Sequence, residues 1–202
     1  MSSNEANKKG KEAFSMRIYG KSEDGIMETA RLYLRAMEAS DLKDLQAIWG
    51  DSEVMKYCGG ALSGTHRLTR SIQYYETVEA IAGISAYAVI LKESEEMIGV
   101  CGFNSSEEVG VYELVYHFKL SKWGNGYATE ACKGVINYIQ TSRTRCMVNK
   151  LIASVAPENN RSKRVLEKCG FDYTGDQWFD DTQRYEPHYE LKISQEGCEL
   201  SD

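Results

Sequence analysis

The chain has 202 residues, 42% of them hydrophobic and 27% charged, and 24 basic against 30 acidic side chains leave a net charge of −6. A chain of this size buries about 70% of its unfolded surface, so one domain needs no metal or disulfide staple for its core. The acidic balance argues against general affinity for nucleic acid, and no run of about 18 apolar residues offers a membrane span.

Residues 1–26 are polar and mixed in charge and read as an N-terminal extension, residues 27–195 as the folded domain, and residues 196–202 as a polar tail. From Arg31 the pattern sharpens: Leu32 and Leu34 alternate with Tyr33 and Arg35, the period of a half-buried strand. Ser40 reads as the N-cap of a helix in which Leu42, Leu45, Ile48 and Trp49 share a face, with Asp41 and Asp44 at its positive end. After a loop holding Gly59, Gly60 and Gly64, a second helix is expected from about Arg67 to Glu79. Strands Ala86–Lys92 and Met97–Phe103 follow, joined by the charged turn Glu93-Ser94-Glu95-Glu96. Val111–Leu120 is mostly apolar and aromatic and reads as a central strand. A long helix runs from about Tyr127 to Ser142, a short strand from Lys150 to Val155, and a helix from Asn160 to Cys169 with Gly170 as its stop. Phe171–Thr174 and His188–Ile193 close the chain as strands, and the order predicts an α+β fold.

The six cysteines (Cys58, Cys101, Cys132, Cys146, Cys169, Cys198) form no C-x-x-C pair, and none has a histidine within a few residues, so no metal is expected. We read them as reduced, mostly packed thiols of a cytoplasmic protein. His66 and His188 have no partner pattern and read as surface or pocket-rim residues.

The informative segment is Trp123-Gly124-Asn125-Gly126-Tyr127-Ala128-Thr129, which follows a strand and opens a helix. Backbone N–H groups point outward together at such a turn and form an anion site, and the small residues let a phosphate approach. A P-loop would need Lys-Ser/Thr after its second glycine, and a dinucleotide fingerprint a third glycine where Thr129 stands. The segment resembles the pyrophosphate-binding motif of the GNAT superfamily of N-acetyltransferases, with Trp123 where many members carry Arg or Gln. Arg31-Leu32-Tyr33-Leu34-Arg35 with Asp41 and Leu42, Ile98 to Phe103, and Asn159-Asn160-Arg161-Ser162 through Lys168 to Gly170-Phe171 resemble, in order, the ribosomal-protein N-terminal acetyltransferase (RimJ/RimL-type) branch.

That resemblance implies a mixed, mostly antiparallel central sheet flanked by helices, with acetyl-CoA as co-substrate in a splay between two central strands. It implies that backbone groups around Phe118, Lys119 and Leu120 pair with the pantetheine arm and that one of their N–H groups polarises the thioester carbonyl. Gly124, Asn125, Gly126, Tyr127, Ala128 and Thr129 would take the pyrophosphate, and Asn159 and Ser162 would meet the cofactor arm. Arg161, Arg164 and Lys168 share a helical face that either meets the 3′-phosphate or is simply solvated.

Acetyl transfer to an amine needs a base for the ammonium and an acid for the departing thiolate. Many relatives carry a tyrosine acid seven residues after the helix asparagine, where this chain has Leu166. The resemblance makes Ser162 the substitute, with N-capping as its other reading. His117 and Glu113 on the central strand are the base candidates beside a water chain, and they lie about 13 Å apart at strand rise. With no histidine near Cys101, Cys132 or Cys169 in sequence, direct attack on the thioester is expected over an acetyl-cysteine route.

Recognition of the amine acceptor, a protein N-terminus or a small amine, is expected from the loop Tyr57–Thr65, the second helix and the aromatic and acidic stretch Gln177–His188. The alternatives are a non-catalytic CoA-binding regulatory or interaction module and, more remotely, a nucleotide-binding regulator. The exposed sheet ends fit a monomer or a homodimer.

Overall fold

The computed structural model describes residues 26–142 and 147–195, so residues 1–25 of the N-terminal extension, the polar tail, Cys146 and Cys198 lie outside the described residues. The strands are β1 (Met27–Glu28), β2 (Leu32–Arg35), β3 (Ala86–Leu91), β4 (Glu96–Ser105), β5 (Val111–Phe118), β6 (Lys150–Ser154), β7 (Asp172–Phe179) and β8 (Arg184–Lys192). The helices are α1 (Leu42–Trp49), α2 (Thr65–Ala82), α3 (Tyr127–Thr141) and α4 (Asn160–Lys168). The strands form one sheet in the order β1-β2-β3-β4-β5-β6-β8-β7. Every neighbouring pair is antiparallel except β5 and β6.

Side-chain alternation divides the core between the two faces of this sheet. All six residues of β3 are buried. Tyr87, Val89 and Leu91 pack with α3 residues such as Cys132, Val135 and Ile139, whereas Ala86, Ala88 and Ile90 pack with Leu45, Ile48, Leu68 and Ile72 of α1 and α2. An apolar run without alternation therefore marks a strand covered on both sides.

The start of α1 differs from expectation. Ser40 is not its cap: a 3₁₀ turn, Ala39–Asp41, precedes the helix, and Asp41 is 5% exposed. The carboxylate of Asp41 accepts both terminal nitrogens of Arg35, each at 2.8 Å, and the Glu38 N–H at 2.8 Å. A carboxylate that deep must be paired, and the guanidinium at the end of β2 presents the matching fork. Asp44 likewise turns from the helix terminus to Lys119, 2.8 Å away.

The last two strands are longer than the sequence suggests, and they form a hairpin at the sheet edge. The extension is built from cross-strand aromatic pairs, Trp178–Tyr185 with centroids 5.2 Å apart and Tyr173–Tyr189 at 5.7 Å. Most of β7 is exposed, so no apolar alternation betrays it. β5 ends two residues early: Lys119 and Leu120 leave the strand, and a 3₁₀ turn, Leu120–Lys122, leads to the glycine segment.

Replacing Asp41 by Ala strands the Arg35 guanidinium and should lower the unfolding free energy by about 2–3 kcal/mol. Arg35→Lys, which keeps the charge but loses the fork, should cost roughly 1 kcal/mol, with both changes read from urea denaturation.

Candidate functional site

Strands β5 and β6 stay paired only through Val111–Lys150, Tyr112–Leu151 and Glu113–Ile152. Beyond Glu113 the strands part, and a cavity of about 850 Å³ opens against Tyr116, His117 and Phe118 of β5, the turn into α3 and the first residues of α4. Antiparallel neighbours bond at alternate residues. Because the Lys119 N–H donates to Ile98 of β4 at 2.9 Å, the peptide groups of Phe118 face the side that β6 has left.

The turn into α3 is built for close approach. Gly124 and Gly126 have φ of +81° and +80°, the left-handed region that favours glycine. A Cβ on Gly124 would meet nothing within 4 Å, so the backbone is open on the cavity side. The helix starts at Tyr127 on this glycine cap, and the first N–H groups of a helix have no partner within it. Gly124, Gly126, Tyr127, Ala128 and Thr129 all line the cavity. These backbone groups can hold an anion. Asn125 does not line the cavity; its amide instead donates to the carbonyls of Lys122 and Trp123, each at 3.2 Å.

Two contacts fix this turn. The carboxylate of Glu130 in the first turn of α3 accepts the Thr29 hydroxyl at 2.6 Å, the Arg31 N–H at 2.7 Å and the Arg31 Nε at 2.6 Å. Against the cost of burial, those bonds hold its pKa below the ordinary carboxylate value. Arg31 also donates to the Asn125 carbonyl at 3.1 Å and stacks 4.5 Å from the Tyr127 ring centroid. The second contact is Trp123, whose indole N–H donates to the Phe118 carbonyl at 2.8 Å. That bond corrects the expectation for Phe118: its carbonyl is taken, so its N–H is the group left to face the splay.

Across the cavity, Asn159 caps α4 by accepting the Ser162 N–H at 3.1 Å, which leaves the amide NH₂ of Asn159 toward the opening. Ser162 and Asn159 line the cavity, and the Ser162 side chain faces the Tyr116 hydroxyl, whose pKa it helps to lower against the larger effect of burial. The Ser162 carbonyl accepts the Tyr116 hydroxyl at 3.3 Å. Arg161, Arg164 and Lys168 also line it, and the Arg161 guanidinium lies 5.1 Å from the Trp123 ring centroid. The cavity thus presents a basic wall opposite a row of backbone donors. Lys119 and Leu120 are not part of it. The Lys119 ammonium pairs with Asp44 and Glu96, and Leu120 is 47% exposed.

His117 lines the cavity but differs from the expected base. The Trp49 indole donates to its Nδ1 at 3.3 Å, and its Nε2 lies 3.3 Å from the Cys58 sulfur. With Nδ1 accepting, the neutral ring must carry its proton on Nε2, so neither nitrogen offers a free lone pair. Burial pulls its pKa down to about 4, away from the ordinary value of 6.5. Cys58, though exposed, stays a thiol: partial desolvation of its sulfur, then the charges of Glu113 and Glu186, push its pKa up.

Glu113 lies off the cofactor-side cavity, on the same face of β5 as His117. Burial raises its pKa, and Asp181 and Glu186 of the β7–β8 hairpin raise it further, while a hydrogen bond from Asn104 opposes them. Asn104 is itself held by the Tyr75 hydroxyl at 2.9 Å. Glu113 has no ion-pair partner among the described residues, whereas Glu186 pairs with Arg184 at 2.9 Å. This acidic floor, assembled from β5 and the distant hairpin, is invisible to sequence spacing. His188 also departs from the rim position expected of it: it is 4% exposed, with Nδ1 2.9 Å from the Ser154 hydroxyl. His66 sits exposed at the start of α2.

Comparison with known proteins gives a consistent result. A family model described as an acetyltransferase (GNAT) domain matches residues 31–172. An uncharacterized N-acetyltransferase, p20, of Bacillus licheniformis is 34% identical over 149 residues, covering 73% of this chain and 82% of that protein. A solved acetyltransferase from Salmonella typhimurium that modifies the N-terminal serine of ribosomal protein L7/L12 superposes with a TM-score of 0.69 at 17% identity, over 82% of this chain and 97% of that one. The aminoglycoside acetyltransferase AAC(6')-Ib, solved with coenzyme A, gives a TM-score of 0.64 at 22% identity, over 80% and 94% of the two chains.

The His117 environment makes a pH prediction. A histidine whose folded pKa lies below its unfolded value contributes stability that is complete above pH 6.5 and lost as the pH falls toward 4. The ring resonances of His117 should titrate near pH 4 by NMR, and His117→Gln should flatten the loss of stability between those two values.

Proposed function

The chain belongs to the GNAT acetyltransferase family and is an acetyl-CoA-dependent N-acetyltransferase; from that premise we propose that it acetylates a cationic primary amine by direct attack on the thioester. The observation that carries this reading is the cavity at the β5–β6 splay, with backbone donors on one wall, a basic helix on the other and a carboxylate without a cation beyond it. A CoA-sized ligand suits a cleft of that volume.

The residues present fit the cofactor. The open backbone from Gly124 to Thr129 takes the pyrophosphate, and the Asn159 amide takes the pantetheine arm. Arg161, Arg164 and Lys168 meet the remaining phosphate. Acetyl-CoA supplies an activated acyl group with a thiolate leaving group. The Phe118 N–H, the group left unclaimed at the splay, faces the thioester carbonyl and stabilises its developing negative charge, a contribution of roughly 3 kcal/mol when such a donor is well placed.

The acceptor enters from the other face, over Glu113, Asp181 and Glu186, with Tyr57 and the hairpin aromatics around it. Glu186 is met by Arg184, but Glu113 and Asp181 have no ion-pair partner among the described residues, and their charge favours an amine that arrives protonated. Glu113, held by Asn104 and raised by burial, is the proton acceptor, directly or through water. Ser162, on the cavity wall beside the Tyr116 hydroxyl, returns a proton to the thiolate. His117, with both nitrogens engaged, positions Trp49 and Cys58 rather than taking a proton. The Trp123-Gly124-Asn125-Gly126-Tyr127-Ala128 segment supports a place near the RimJ/RimL-type branch, in which a protein N-terminus is the acceptor. The acidic floor equally suits a small polycationic amine. No helix among the described residues is long and apolar enough to cross a membrane.

Free thiol release from acetyl-CoA should depend on an added amine, and acetyl-CoA binding with no release across peptides and polyamines would instead support a CoA-binding module. Glu113→Gln should lower kcat/KM by about 10²-fold with acetyl-CoA affinity unchanged, and should remove an acid limb lying above the usual carboxylate range. Gly124→Ala should weaken acetyl-CoA binding by on the order of tenfold in titration calorimetry, because its Cβ enters the open side of the turn and strains the backbone by about 1–2 kcal/mol.

A further inference from the structure

Three thiols that the transfer reaction does not use converge behind the cavity. Cys132, in the second turn of α3, and Cys101, in β4, are fully buried, with their sulfurs 3.7 Å apart. Cys169, which caps α4, is half-buried, and its thiol donates to the Thr129 carbonyl at 3.9 Å. Thr129 stands one turn before Cys132 on α3, and Cys169 packs against the core cluster that holds Cys132 and Cys101, so the three gather between the partly exposed end of α4 and the interior. Tyr116, which lines the cavity, stands opposite Cys101 in the β4–β5 register and packs against the core cluster around these thiols. They come from three separate elements, 31 and 37 residues apart in sequence, and the contact is made by the fold alone.

We propose that this group is an oxidation site, in which Cys169 reacts with a hydroperoxide and Cys132 closes a disulfide onto it, linking α3 to α4. The burial gradient orders the events. Cys169 is the thiol of the three that solvent reaches, and the neighbouring Cys132 thiol, with the charge of Lys133, lowers its pKa against the effect of burial. Burial and the neighbouring thiols hold Cys132 protonated until it is needed. The Cys169 thiolate attacks one peroxide oxygen, the O–O bond breaks, and the departing oxygen takes a proton and leaves as water or alcohol. The resulting sulfenic acid is attacked by the Cys132 sulfur, which gives up its proton, and the S–O bond breaks to release water. Cys101, in contact with Cys132, can then attack the Cys132 sulfur and expel Cys169 as thiolate, moving the disulfide inward without a further oxidant. Cys58 lies on the other face of the sheet beside His117 and takes no part.

The full chain, treated with hydrogen peroxide, alkylated and digested without reductant, tests this by peptide mass mapping. The expected product is a Cys132–Cys169 or Cys101–Cys132 peptide lighter by two hydrogens and reversed by dithiothreitol. Cys169→Ser should reduce both linkages at least tenfold. Cys132→Ala, which keeps a small apolar group in the core, should abolish both and leave Cys169 carrying oxygen. Circular dichroism of each variant confirms that the fold is retained. The proposal is overturned if Cys169 stays unmodified while Cys58 is oxidised, if linkage involves Cys58, Cys146 or Cys198, or if Cys101–Cys132 forms equally well without Cys169. None of these outcomes depends on acetyl transfer.

Discussion

Peptide groups in the middle of a sheet must find partners, and between β5 and β6 the sheet withholds them after Glu113. The remaining features of the site answer that shortage. Trp123 reaches back to take the Phe118 carbonyl, the 3₁₀ turn carries the chain to two left-handed glycines, and α3 begins where its unpartnered N–H groups face the same opening. The parallel pair is the only one in the sheet among the described residues, and a parallel pair needs a crossover between its strands. That crossover is α3, so the strand arrangement that opens the cleft also delivers the helix terminus that lines it.

The charge of the chain is distributed against its net sign. A molecule of net charge −6 presents Arg161, Arg164 and Lys168 to the cleft on one helix, while Glu113, Asp181 and Glu186 come together on the opposite sheet face with Arg184 as their one paired cation among the described residues. The sheet keeps these two fields apart, and they meet only where it splits. A phosphate-rich ligand and a cationic one can therefore approach from opposite sides with little competition. Net charge excludes general nucleic-acid binding but is silent on this division, because it averages the two walls.

Much of the cofactor side is legible in sequence because its signals are local. Two glycines at the junction of a strand and a helix, and an asparagine opening the next helix, state their geometry within a few residues. The acceptor side is different. The ring nitrogens of His117 are engaged by Trp49 and Cys58, 68 and 59 residues away, and Glu113 owes its environment to Asn104, Asp181 and Glu186. Asp41 reads locally as a helix-start acid, yet the desolvated fork of Arg35 outweighs the helix terminus. The edge hairpin is missed for a related reason: exposed on most of its surface, β7 carries no apolar period, and it is held by cross-strand aromatics that no single strand announces.

The clamp of Glu130 on Thr29 and Arg31 has a bearing on how the molecule is made. Its partners are 101 and 99 residues apart, so the turn that faces the cleft cannot be fixed until the first strand and the third helix have both emerged and met. Closure of so long a loop is slow relative to helix and hairpin formation. During synthesis at about 5–20 residues per second, the nascent chain waits several seconds between making Arg31 and making its anchor. Ligand-binding competence is thus a late event in the life of the chain, and it arrives through a contact between its beginning and its middle.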